Sequence, residues 1–209
     1  MNKLVTLSTA VVLNLSVMPL SAEEVVPYQA KIAKLQQQAN SGDSKAALTL
    51  GDFYSDSRNH SRDFTKAREF YEKATTAGDP QAMVSLAELL STGFGGPLNT
   101  KRGMELLEKS ANQGNKHAQY LLGRACMIGF STVQKDFLRA FKYLQLSANS
   151  GEGDAECLLA YLYDNGLGVV KNSQKSAILM KSAKLHGCAD GEDWIGKIYL
   201  YGLGQTPKF

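Results

Sequence analysis

Apolar and small side chains recur along this chain at helical spacing, and the blocks that carry them repeat with a fixed period. Five glycines mark that period: Gly42, Gly78, Gly114, Gly151 and Gly187 lie 36, 36, 37 and 36 residues apart. Each closes an amphipathic stretch, as expected of a helix end where glycine enters the left-handed region without steric cost. An acid or amide follows four of them, at Asp43, Asp79, Asn115 and Glu152. Small residues come next, at Ala46, Ala82, Ala118, Ala155 and Gly191, then the pairs Leu50-Gly51, Leu86-Ala87, Leu122-Gly123, Leu159-Ala160 and Ile195-Gly196. A large side chain completes the pattern in most repeats, at Tyr54, Leu90, Tyr163 and Tyr199, with Cys126 in the third. These positions predict a first helix, A, whose small-residue face lets another helix approach closely; Gly93, Gly129, Gly166 and Gly202 end it.

A second helix, B, has its own start signal. Asp63, Asn99, Asp136 and Asn172 recur at the same period, and each is a residue type whose side chain accepts from the unpaired amides of a first helical turn. Its core positions are Phe70-Tyr71, Leu106-Leu107, Tyr143-Leu144 and Leu179-Met180, followed by Ala74, Ser110, Ser147 and Ala183. A helical hairpin that cannot bury a face alone must stack on its neighbours, so the predicted fold is all-α, an α-solenoid of antiparallel hairpins. The repeats occupy 43–78, 79–114, 115–151 and 152–187. In the first, Ser57 stands where the others have a turn glycine, within a polar loop from Ser55 to Arg62. Residues 23–42 form an N-terminal capping helix, and 188–209 hold a partial fifth repeat whose A helix, 191–202, has no B partner. That helix is either a self-capping end or a self-association surface.

Residues 1–22 stand apart from the solenoid. A basic start at Lys3, an apolar run from Leu4 to Val17, and the small pair Ser21-Ala22 before Glu23-Glu24 have the form of a secretory signal peptide cleaved after Ala22. The run is short for a spanning helix, so the expected locations are periplasmic or secreted, with no stable membrane insertion after cleavage. Removing 22 of 209 residues leaves 187. The balance of 23 basic and 20 acidic side chains is too even and too dispersed to advertise a nucleic-acid or polybasic membrane partner.

The succession of alanine, Leu-Gly, tyrosine, Gly-x-Gly, a capping acid or amide and a small-residue helix ending in glycine resembles the Sel1-like repeat. Ala155 to Gly187, with Tyr163-Asp164-Asn165-Gly166-Leu167-Gly168, and Asp136 to Gly151 carry the resemblance best, and it extends over roughly 30–204. Tetratricopeptide repeats share the hairpin, but their period of about 34 is shorter. The resemblance implies a TPR-like superhelix whose A helices line a concave side. Carried over at offsets of two, six and nine from the small-residue ladder, the candidate partner-binding residues are Glu88, Tyr120, Arg124, Met127, Tyr161, Asp164 and Lys197, within a set that also includes Asp52, Ser55, Ser91 and Cys157. Aromatic and arginine side chains contribute disproportionately to binding another protein or peptide.

Candidate chemistry is sparse. Antiparallel packing would bring Cys157, near the start of the fourth A helix, close to Cys188, just past the following B helix, and a bridge between them is one reading, two free thiols the other. Cys126 sits at a core position. His60, His117 and His186 fall in a loop, at a helix start and at a helix end, without metal-ligand spacing or a legible catalytic partner, so neither a metal nor a catalytic site is expected, nor a cofactor. Gly93-Phe94-Gly95-Gly96-Pro97 lacks the Lys-Ser/Thr and strand context of a phosphate loop. Family resemblance therefore points to a non-catalytic interaction protein. Among exported relatives of this kind are immunity proteins against secreted toxins, periplasmic adaptors or regulators, and host-interaction factors. A cell-wall or β-lactam hydrolase, as associated with cysteine-rich relatives, is the enzymatic alternative.

Overall fold

The computed structural model describes residues 22–58 and 61–188, with side chains from Gln29 onward. The proposed signal segment up to Ser21, the fifth-repeat helix and Lys197 lie outside the described residues, as do Asn59 and His60. Nine helices follow one another within the described residues: α1 Ala22–Asn40, α2 Ser44–Ser55, α3 Phe64–Thr76, α4 Pro80–Thr92, α5 Thr100–Asn112, α6 Lys116–Ile128, α7 Phe137–Asn149, α8 Gly153–Asn165 and α9 Ser173–Leu185. Even-numbered helices are A helices and odd-numbered ones B helices, so α1 is a B-type helix at the front of the stack. Each hairpin packs on the next in chain order, and the buried apolar side chains form two large clusters, one from Ala39 to Leu90 and one from Val84 to Tyr163, with a small third of Cys157, Ala183 and Cys188.

Local chemistry explains the regular boundaries. Every B helix ends with glycine at φ between 74 and 97°, at Gly42, Gly78, Gly114, Gly151 and Gly187. The residue after the glycine then donates its amide five residues back, as Asp43 to Gln38 (3.0 Å), Asp79 to Ala74 (3.1 Å) and Asn115 to Ser110 (3.2 Å), which satisfies a helix-end carbonyl. The same residue starts the next helix. The Asp43 carboxylate accepts from the amides of Lys45 and Ala46, Asp79 from Gln81 and Ala82, and Asn115 from Ala118. Glu152 is one methylene too long for this role and makes no side-chain cap bond. It turns instead to Lys116, at 3.4 Å.

The hairpin turns are closed equally regularly. The B-helix N-caps Asp63, Asn99, Asp136 and Asn172 each donate their amide to the carbonyl of Tyr54, Leu90, Cys126 and Tyr163 respectively, all at 2.8 Å. In the first repeat the missing turn glycine is accommodated because α2 stops one residue early, on Asp56 in an extended conformation. Small A-helix residues admit the B helix: a Cβ on Gly51 would collide with the Tyr71 ring, and one on Gly123 with Leu144. The buried Ser110 and Ser147 hydroxyls donate to the carbonyls of Pro80 (2.7 Å) and Lys116 (2.8 Å), tying each B helix to the start of its own A helix.

Hairpins meet chiefly where each B helix packs on the next A helix, α3 on α4, α5 on α6 and α7 on α8, and two of the turns add backbone contacts. Gly95, in the turn after α4, lies against the backbone of Phe64 and Thr65 at the start of α3, and Gly168, after α8, lies against Phe137 and Leu138 at the start of α7. Both have positive φ, 72 and 68°, and a Cβ at either would overlap the facing carbonyl. The third repeat's turn is one residue longer and uses Ser131 at φ 57° as the first central residue of a tight turn closed by Val133 N–H to Phe130 C=O at 2.9 Å.

Two stability predictions follow from these local features. Ser131 occupies a conformation that costs an L-residue about 1–2 kcal/mol, so Ser131→Gly should raise unfolding stability by about 0.5–1 kcal/mol after the extra chain entropy of glycine is deducted. Urea denaturation followed by circular dichroism measures it, and a loss of stability would contradict the turn geometry. Cys157 and Cys188 are joined by a disulfide that closes a loop across the fourth hairpin, at a sequence separation of 31. Cys157→Ser with Cys188→Ser should lower stability by roughly 3 kcal/mol. Proteolysis should then cut first within α9; initial cleavage in the first two hairpins would contradict a clamp local to this one.

Candidate functional site

A groove of about 890 Å³ runs over the A helices α4 and α6, reaching the end of α2 and the start of α3 on one side and the turns after α4 and α6 on the other. Its walls are mainly apolar. Leu121 and Ile128 come from α6, Leu89 from α4, and Phe64, Phe94 and Phe130 from the hairpin turns and the start of α3. Phe94 stacks on Phe64 with ring centroids 4.8 Å apart, so two repeats jointly build one aromatic wall. Phe94 and Phe130 keep large exposed areas, 53% and 42%.

The polar lining is confined to a strip. Ser55, Tyr71, Ser85, Glu88, Ser91, Thr92 and Arg124 supply it. The Tyr71 hydroxyl donates to Asp52 Oδ1 at 2.8 Å and lies 3.0 Å from Ser55 Oγ. Burial pushes the Tyr71 phenol well above its ordinary range, so it stays a neutral donor. Although Asp52 reaches solvent, partial burial of its carboxyl raises its pKa; the Tyr71 hydrogen bond opposes that rise and the Asp79 charge adds to it. Arg124 lies over the Tyr120 ring, 5.6 Å from its centroid, with Nη1 3.5 Å from the hydroxyl.

Next to Arg124, His117 links three repeats. Its Nε2 is 4.0 Å from Glu88 Oε1 and its Nδ1 3.7 Å from Glu152 Oε1. Asp154 is held above the usual carboxylate range, first by burial and then by the Glu152 charge, while His117 and Arg124 pull the other way.

Of the residues expected on the inner face, Ser55, Glu88, Ser91 and Arg124 line the groove. Tyr120, Met127 and Tyr161 do not present themselves as anchors: they are 4%, 2% and 8% exposed and belong to the core. Asp164 is exposed at the end of α8, where Ser173 Oγ donates to it at 3.0 Å, outside the groove. Cys157 is buried in its disulfide. The groove-facing stripe of α4 and α6 falls at offsets three, six, seven and ten from Ala82 and Ala118, as Ser85, Glu88, Leu89 and Thr92, and as Leu121, Arg124, Ala125 and Ile128. That is about one residue beyond the tetratricopeptide phase, because an A helix inside the stack buries offset two, as at Val84, Tyr120 and Cys157, while offset nine is buried at Met127 and open at Ser55 and Ser91. The turn aromatics were the missed signal: Phe94 and Phe130 repeat directly after the A-helix glycine, an apolar residue in a turn that has no core to fill.

Chemistry elsewhere is structural in form. Glu156, 6% exposed, accepts from Ser182 Oγ at 2.9 Å and pairs with His186 Nδ1 at 2.9 Å. A hydrolytic triad runs from nucleophile to histidine to acid, whereas here the serine hydroxyl goes to the carboxylate and bypasses the imidazole. Cys126 is fully buried, and burial pushes its thiol up, away from the reactive thiolate. Among the described residues no cluster of three or more histidine, cysteine or acidic side chains could hold a metal ion.

The chain is similar to several solved structures. A Sel1 repeat protein from Oxalobacter formigenes matches with TM-score 0.72 and 24% identity, covering 85% of this chain and 72% of that one. The c5321 protein, a protective antigen of uropathogenic Escherichia coli with an SLR fold, matches with TM-score 0.71 and 26% identity over 80% of this chain, which spans 36% of c5321. Cysteine rich protein B of Helicobacter pylori matches with TM-score 0.50 and 24% identity, covering 64% of this chain and 95% of that one. No curated protein matches. The model of the Sel1 repeat matches residues 44–79, 80–115, 116–152, 153–188 and 189–208, one unit per observed hairpin and a fifth beyond α9. With that register coinciding with the capped boundaries of α2 to α9, the chain belongs to the Sel1 repeat family.

Proposed function

We propose that this Sel1 repeat protein is a non-catalytic scaffold that binds a protein through an extended segment laid in the groove over α4 and α6. The observation that carries the reading is the open aromatic wall, since solvent-exposed phenylalanines contributed by successive turns add nothing to the core yet supply the large apolar contacts on which interfaces depend. Glu88 and Arg124, of opposite charge, would set the register and orientation of an apolar segment with flanking charges. Export through residues 1–22 to the periplasm or beyond is part of the proposal. In that setting we favour neutralisation of a secreted toxin, with adaptor or host-facing roles as the alternatives.

Affinity capture of the protein from its native compartment, followed by titration of the recovered partner, tests the groove. Phe94→Ala with Phe130→Ala should weaken binding by about 2–4 kcal/mol, a loss of roughly thirty-fold or more, and Arg124→Glu should reduce it further by slowing association. Unchanged affinity in both variants would reject the groove. A partner encoded beside this gene that inhibits growth alone, and not in the presence of this protein, is the result expected of the toxin form.

A further inference from the structure

We propose that the outward face of α7 and α9 docks on an anionic lipid bilayer. The repeat pattern breaks on the outward face of the B helices. At the outward B-helix positions six and nine residues after each N-cap, the first two repeats carry Glu69 and Glu72, then Glu105 and Glu108; the next two carry Lys142 and Gln145, then Ile178 and Lys181. Two of these acids, Glu72 and Glu108, hold an arginine of the next B helix. Arg102 pairs with Glu72 through a bidentate contact at 2.6 Å, and Arg139 reaches Glu108 at 3.6 Å, so α5 is bridged to α3 and α7 to α5. The next rung would join Lys175 to position 145, which is a glutamine, and Lys175 instead lies over the Tyr163 ring at 5.2 Å.

The consequence is a segregation that the overall charge conceals. Helices α3 and α5 each carry three basic and two acidic residues, whereas α7 and α9 together carry five basic residues and no acid. Lys142, Lys181 and Lys184 are exposed there. Exposed aliphatic side chains accompany them: Leu138 and Leu146 on α7, and Ile178 and Leu185 on α9, the last two 68% and 81% exposed.

Charge complementarity selects an anionic partner, and the residue types select a bilayer. Protein interfaces favour aromatics and arginine and are depleted in lysine. Lysine stems beside isolated leucine and isoleucine are the composition of helices that lie in a membrane interface, with aliphatic tips among the acyl chains and ammonium groups at the phosphates. Docking there would be peripheral, since no helix among the described residues is long and apolar enough to cross a membrane. It uses B helices, and the groove on the A helices stays open to its own partner.

Flotation of the full chain with vesicles of phosphatidylglycerol and vesicles of phosphatidylcholine tests the proposal. The readout is the excess on phosphatidylglycerol, because association through the apolar Leu4–Val17 run is common to both vesicles. The excess is expected to fall with added salt, and to drop about tenfold or more in Lys142→Glu with Lys181→Glu, which reverses two charges near the surface. Ile178→Ser with Leu185→Ser should also lower it, and Arg124→Glu should leave it unchanged. These positions are exposed, so circular dichroism melting curves should match the parent. No excess on phosphatidylglycerol, or an excess that survives the double charge reversal, overturns the proposal.

Discussion

The solenoid depends on each B helix packing closely on the next A helix, and at two junctions backbone meets backbone at the hairpin turns. Gly95 and Gly168 let the turns after α4 and α8 settle directly on the first residues of α3 and α7, at a separation that no side chain would allow. Within a hairpin, the B helix is held by a cap, a closing amide and small A-helix residues; between hairpins, this contact helps set the distance at which the next apolar faces meet. Stability in such a stack is a sum of hairpin terms and nearest-neighbour terms, and it has no single centre to fall back on. The residue after each B-helix glycine shows how tightly the two are joined, because Asp43, Asp79 and Asn115 each finish one helix with an amide and start the next with a side chain.

That geometry separates two surfaces with different physics. The A helices, with Asp52, Glu88, Asp154, Glu156 and Asp164 against Lys45, Lys116 and Arg124, lean acidic. On this side the turn aromatics create an apolar trough with a narrow polar strip, which suits recognition by shape. The B helices carry the positive charge, balanced by ladder pairs in the early repeats and left unbalanced in the later ones. A near-neutral total is thus compatible with a strongly polarised molecule, since composition counts charges and folding sorts them onto faces.

Much of the fold was legible because it is written in local chemistry. Glycine at a left-handed helix end, Asp63 or Asn99 at a helix start and a fixed period are each readable from a few residues, and their agreement in phase leaves one architecture. The groove was less legible. Which stripe of an A helix stays open depends on how the hairpins rotate against one another, a property of the packed stack, and borrowing the tetratricopeptide phase placed Tyr120, Met127 and Tyr161 outside when packing puts them in the core. Glu156 was hidden for the same reason: its partners Ser182 and His186 lie on another helix, 26 and 30 residues away. Phe94 and Phe130 were visible as a repeated apolar residue in a turn, a pattern whose meaning appears only once the turn is seen to face the groove.

The central claim, that turn-to-helix backbone contact adds to helix packing in setting the stacking at the α3–α4 junction, is tested most directly by native-state hydrogen exchange on Gly95→Ala. The methyl group must displace the carbonyl of Phe64, so the account predicts that protection falls along the whole α3–α4 junction, including amides of α3 and α4 remote from the turn, while α8 and α9 keep theirs. A loss of protection confined to the Gly93–Asn99 turn would contradict it, and would mean that the hairpins are spaced by their side chains alone.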